Sequence, residues 1–134
     1  MIVYSKVNHE KPLYSVVRID TVNDQRKDAT PCTEYLQFAS KKVSKGMSWP
    51  RHKHLPLERN TIGTQEAWIV MSGKIRASLY DIDETLCEEL ILNEGDVVIV
   101  YNAGHSLDVL EDNTILYEFK NGPYYGRDKD KVEF

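Results

Sequence analysis

The feature that most restricts what this chain can fold into is the cadence of its apolar residues. Val, Ile, Leu and Tyr gather in runs of about four to eight residues, and turn-forming residues part the runs at intervals of about 8–12. Strands are expected at Leu13–Ile19, Tyr35–Val43, Glu66–Met71, Lys74–Tyr80, Glu88–Leu92, Val97–Tyr101, Ser106–Leu110 and Thr114–Phe119. The segments between them carry turn chemistry: Ser72-Gly73, Asp81 to Glu84, Asn93-Glu94-Gly95-Asp96 and Glu111-Asp112-Asn113. No segment sustains an apolar period of 3.6, and the best helical candidate is about one turn near Thr21–Arg26. Many short antiparallel strands in one small chain predict an all-β sandwich, jelly roll or barrel.

With 134 residues, the chain is expected to be one domain, 1–134, with an N-terminal strand segment at 1–20 and an irregular tail at 121–134. Hydrophobic residues at 41% and charged residues at 28% describe a chain that buries a core. A net charge of −4 gives no basic stripe, so no nucleic-acid partner is expected. No apolar run approaches the roughly 20 residues of a helical membrane span, and no membrane association is expected. Cys32 and Cys87 are far apart and lack a CxxC partner, and no charged stretch leads into an apolar leader. A cytoplasmic location follows as the expectation.

Histidine is scarce, with four in the chain, and two of them stand as His52-Lys53-His54. On a strand, residues i and i+2 share a face, so such a pair aims two imidazoles at one point, as a metal ion requires. Gly46 lies six residues before His52, and Glu66 is followed after six residues by Gly73. Further on, Gly95-Asp96 opens a strand and Asn102-Ala103-Gly104-His105 follows it. These fragments resemble the two motifs of the cupins, G-x5-H-x-H-x3,4-E-x6-G and G-x5-P-x-G-x2-H-x3-N, over roughly residues 46–119. Gly63 to Trp68 and Tyr117 to Tyr124 are similar to a group of small bacterial cupins associated with surface-polysaccharide and nucleotide-sugar genes. The chain departs from the pattern at the second motif, where Tyr101 replaces the proline, Ala103 a glycine, and no asparagine follows His105.

The resemblance implies a single-domain cupin, a jelly-roll-like antiparallel β-barrel, with one divalent transition metal (Zn, Mn, Fe, Ni or Co). It implies His52, His54 and His105 as ligands together with a glutamate. Eleven residues separate His54 from Glu66, whereas Glu58 keeps the short motif spacing, so either carboxylate fits. Glu66 is preferred because it keeps its distance to the Gly73 turn and shares a strand face with Trp68. Around these positions, Arg51, Arg59 and Trp68 are the candidate substrate contacts, and Tyr101 and Glu118 the candidate acid–base groups. The implied function is isomerase or epimerase chemistry on a sugar or nucleotide-sugar. An Fe(II) dioxygenase and a non-catalytic module for a small anion or sugar are the alternatives. Small cupins pair through sheet edges, so a homodimer is expected.

Overall fold

Ten strands, all paired antiparallel, build two main sheets and a small ribbon in a computed structural model that describes residues 1–134. The strands are β1 (Ile2–Tyr4), β2 (Pro12–Val17), β3 (Lys27–Asp28), β4 (Ala39–Ser40), β5 (Glu66–Ser72), β6 (Lys74–Tyr80), β7 (Leu86–Asn93), β8 (Val97–Val100), β9 (Gly104–Val109) and β10 (Ile115–Lys120). The larger sheet runs β1-β2-β8-β5-β10, the smaller runs β7-β6-β9, and β3-β4 forms the ribbon. Neither main sheet closes on itself, so the observed class is all-β with open antiparallel sheets. One helical turn, α1 (Arg127–Asp130), is the only α-helix.

The two sheets bury a common core of Leu13, Tyr14, Trp68 and Val70 from one and Ile75, Ala77, Leu79 and Leu92 from the other, with Val98, Val100 and Ala103. A second cluster, Val17, Ala67, Val97, Ile99 and Tyr101, lies on the opposite face of the large sheet. Val22, Ala29, Leu36 and Phe38 cover it. The middle of the large sheet is therefore buried on both faces, which explains why β8 reads Val-Val-Ile-Val without a polar alternate. Burying each such side chain is worth about 1.5–3 kcal/mol.

Tight connections fix the register. Gly73 alone joins β5 to β6 at a φ of 80°, and a Cβ there would lie 2.9 Å from the Thr114 Cα. Only glycine meets both conditions at low cost. Asp96 ties the β7–β8 turn to the end of β2, accepting from the Arg18 guanidinium at 2.8 Å and from the Ile19 and Asn93 amides at 3.0 Å each.

Two sequence expectations change. The strand expected over Tyr35–Val43 is reduced to Ala39–Ser40, because Leu36 and Phe38 turn down onto the large sheet as its cover. The amides of Tyr35 and Leu36 donate to the Gln65 side-chain carbonyl at 3.0 and 2.9 Å, so a side chain replaces a strand partner there. The helical turn expected at Thr21–Arg26 is instead a 3-10 turn at Ile19–Thr21.

Candidate functional site

Cross-strand register assembles the site. Glu66 and Trp68 project from β5 toward the space between the sheets, and their direct partners on β10 are Lys120 and Glu118. Residues directly opposite on antiparallel strands are neighbours on one face, and both contacts form. The Lys120 Nζ lies 3.6 Å from Glu66 Oε1 and 3.2 Å from Glu118 Oε1. The Trp68 indole N–H donates to Glu118 Oε2 at 3.2 Å. From the smaller sheet, β9 brings His105, whose Nε2 stands 3.3 Å from Glu66 Oε2. The imidazole packs on the Trp68 ring with centroids 4.8 Å apart.

Glu66 is only 3% exposed, yet neither of its carboxylate oxygens has a hydrogen bond. At 3.3 Å the imidazole is near enough to donate a long hydrogen bond to the carboxylate, although the angle is poor. His105 is the main cause holding the Glu66 carboxyl below its ordinary value. Burial opposes it, and the ammonium groups of Lys131 and Lys120 assist. Glu66 is therefore a buried anion paired in charge with His105, Lys120 and Lys131 at 3.3–3.6 Å but without a well-formed hydrogen bond, whereas buried carboxylates normally have one.

The tautomer of His105 matters. Its Nδ1 lies 3.4 Å from the Ala103 carbonyl oxygen, which can only accept. With the proton on Nε2 the imidazole donates to the carboxylate directly; with it on Nδ1, Nε2 presents a lone pair to a carboxylate lone pair, a conflict that an electrophile between them would resolve. Two ligands each about 2.1 Å from one cation and separated by a tetrahedral angle lie about 3.4 Å apart. The observed 3.3 Å between Nε2 and Oε2 fits that bite. The donor types, an imidazole nitrogen and a carboxylate oxygen, suit a divalent transition metal. A carbonyl that fixes the ring through its other nitrogen is the usual support of a histidine ligand.

Two hollows that share His105, Lys131, Val132 and Phe134 in their walls flank this pair. One of about 280 Å³ lies over Glu66, Ala103 and His105, and another of about 420 Å³ lies over Trp68, His105, Tyr80 and Glu118. The larger falls within the range of small-molecule sites, about 300–1,000 Å³, and the smaller lies just below it. Residues of the segment Arg127–Phe134 form the outer wall of both.

The other residues singled out from the sequence lie elsewhere. His52 and His54 are exposed on a stretch without regular structure, their rings edge-to-face at 5.5 Å. Neither lines the two hollows, and no three His, Cys, Asp or Glu side chains converge as a metal-holding group. Arg51, Glu58 and Arg59 are exposed on the same stretch. Tyr101 belongs to the far face of the large sheet, where its hydroxyl lies 3.2 Å from the Ala29 carbonyl oxygen, to which it can donate, and 2.7 Å from Ser15 Oγ, from which it can accept. Burial raises its pKa, and it lines a separate hollow of about 450 Å³ beside Asn102 and Gln65. The structure thus joins Glu66, Trp68, His105 and Glu118, and leaves His52, His54, Arg51, Arg59, Glu58 and Tyr101 outside the group.

Lys120 and Lys131 were not anticipated. Lys120 was accessible in principle, since it follows Glu118 by two residues and so shares its strand face. Nothing in the spacing of Lys131 marks it.

No protein-family model matches the chain, and no curated protein or solved structure matches it. No helix is long and apolar enough to cross a membrane.

Proposed function

We propose that the chain is a small cupin in which Glu66 and His105 are the built half of a site for one divalent transition metal, serving chemistry on a sugar or other small anionic molecule. The observation that carries this reading is the buried Glu66 carboxylate, with no hydrogen bond and with an imidazole nitrogen set at ligand-to-ligand distance. In this reading His52 and His54 supply the remaining donors from the irregular stretch that enters β5, and the open sheets are the two halves of a cupin-type barrel. The bound ion would act as a Lewis acid on a substrate carbonyl or hydroxyl oxygen.

The chain's own residues divide the remaining work. Trp68 packs at a tilt against the His105 ring and limits how it can turn. The Ala103 carbonyl, 3.4 Å from Nδ1, favours a proton on that nitrogen and so leaves Nε2 to the ion. Glu118 is half-exposed at the wall of the larger hollow, with one oxygen held by Trp68 and the other by Lys120. That placement suits it to hold or move a proton on a substrate hydroxyl or carbon. Lys120 supplies positive charge beside it, which favours an anionic substrate.

The test is the metal content of the purified chain after loading with Mn²⁺, Co²⁺, Ni²⁺, Zn²⁺ or anaerobic Fe²⁺, run beside Glu66→Gln and His105→Ala, with circular dichroism as a folding check. About one equivalent in the wild type, lost in both folded variants, is expected. Loss in His52→Ala/His54→Ala would add the second pair. A wild type that binds none of these ions, or variants that bind as well as the wild type, would sink the assignment.

A further inference from the structure

The segment Gly126–Phe134 lies across the mouth of the site, and its attachment is unusual. No backbone hydrogen bond joins Gly122–Phe134 to the sheets; its amides bond within the segment, Lys129 to Gly126 and Lys131 to Arg127. Three side-chain contacts hold it down. Asp130 accepts from the Thr64 hydroxyl at 2.5 Å. The Phe134 ring packs edge-to-face on Tyr80, centroids 5.3 Å apart, over the bare backbone of Gly104, where an added Cβ would come within 2.7 Å of it. The Lys131 ammonium reaches to 3.5 Å from Glu66 Oε1.

The two lysines beside Glu66 are not equivalent. Lys120 is anchored independently, by Glu118 at 3.2 Å and by the Tyr124 ring at 4.3 Å. Lys131 has Glu66 as its only carboxylate partner. It delivers a second cation, beside Lys120, to a buried carboxylate that lacks a well-formed hydrogen bond.

We infer that Gly126–Phe134 is a displaceable plug, in which the Lys131 ammonium stands in for the divalent cation at Glu66 and must withdraw when that cation binds. The inference rests on the metal reading above and adds an internal competitor to it. A segment held by three side-chain contacts and no sheet ladder opens at small free-energy cost. Its withdrawal also uncovers the outer wall of both hollows, so cation binding and access to the cleft are one event. Coupling of this kind is reciprocal: whatever removes Lys131 from Glu66 strengthens cation binding, and the cation releases the plug.

Co²⁺ binding to the full chain, followed by calorimetry, tests the competition. Lys131→Met keeps the length and apolar stem of the side chain and removes its charge. It is expected to tighten the Co²⁺ Kd by about 5-fold or more, the lower end of coupling between linked sites. Lys129→Met removes a charge from the same segment but not from Glu66, and is expected to change the Kd by less than about 2-fold. In the wild type, tryptic cleavage after Lys131 is expected to accelerate when Co²⁺ saturates the site. Equal Co²⁺ affinity in the wild type, Lys131→Met and Lys129→Met would overturn the plug and leave the metal site standing, as would cleavage after Lys131 that Co²⁺ leaves unchanged. Absence of Co²⁺ binding in both the wild type and Lys131→Met would sink both readings. Binding in Lys131→Met alone would support the plug in its strongest form.

Discussion

Asp81 and Glu66 are almost equally buried, at 4% and 3% exposed, but their surroundings differ in kind. Asp81 accepts from the Ser5 hydroxyl at 2.5 Å and from the amides of Lys6 and Ile82 at 2.8 and 2.7 Å, closing the N-terminal loop onto the β6–β7 turn. Burial pushes its carboxyl up, but these donors together outweigh burial and hold it below the ordinary 3.8. Such a group stabilises the fold at every pH above its unfolded value, and that contribution is lost as pH falls through the lower folded value. Asp81→Asn is therefore expected to lower the melting temperature at pH 7. The gap to the wild type should narrow once pH drops below about 3.8. Melting curves that stay parallel across pH 2–7 would contradict this account. Glu66 has His105, Lys120 and Lys131 at 3.3–3.6 Å, but none of them makes a well-formed hydrogen bond to it. A structural carboxylate is saturated by its neighbours, whereas a carboxylate poised for a ligand is not.

At the scale of elements, the hairpins were legible because each of their signals is local. β5, β6, β7 and β8 are joined by Gly73, by Asp81 to Glu84 and by Asn93 to Asp96, with glycine at the left-handed position of the first and third connections and Glu84 at that of the second. Gly73→Ala is a sharp test of that logic. The left-handed backbone alone costs a β-carbon about 1–3 kcal/mol. The close approach to Thr114 adds to that, so a clear drop in the urea midpoint with an unchanged slope is expected. An unaltered midpoint would mean that the turn relaxes freely. Legibility failed where an element's partner is distant. Tyr35–Val43 has strand composition, but Leu36 and Phe38 serve as cover for the large sheet, a role alternation does not encode. Glu66 and Trp68 were identified from their shared strand face. Lys120 opposite them required knowing that β10 pairs with β5 in that register. His52-Lys53-His54 has a spacing suited to a strand, but these residues form none.

At the scale of the whole molecule, a laddered frame carries two segments with little backbone support, one on each side of β5 to β10. The first is the stretch from Ser48 to Ile62, which makes no backbone hydrogen bond and carries His52 and His54. The second is the plug. If His52 and His54 are donors to the ion at Glu66 and His105, binding must draw the first segment inward while it drives the second outward. Trypsin reads both movements, since Arg51, Lys53 and Arg59 are exposed on the first segment and Lys131 lies on the second. In the absence of metal, early cleavage is expected after Arg51, Lys53 and Arg59, because unladdered backbone opens to a protease at small cost. With saturating Co²⁺, these sites are expected to become at least several-fold slower to cut. Glu66→Gln, which removes the fixed carboxylate, should abolish that protection. Protection that survives Glu66→Gln would place the ion of His52 and His54 somewhere other than the cleft. No protection in the wild type, alongside a stoichiometric Co²⁺ signal, would assign the ion to Glu66 and His105 without the histidine pair. Two segments moving in opposite senses around one buried carboxylate would make the frame a scaffold and the unladdered chain the part that responds to the ion.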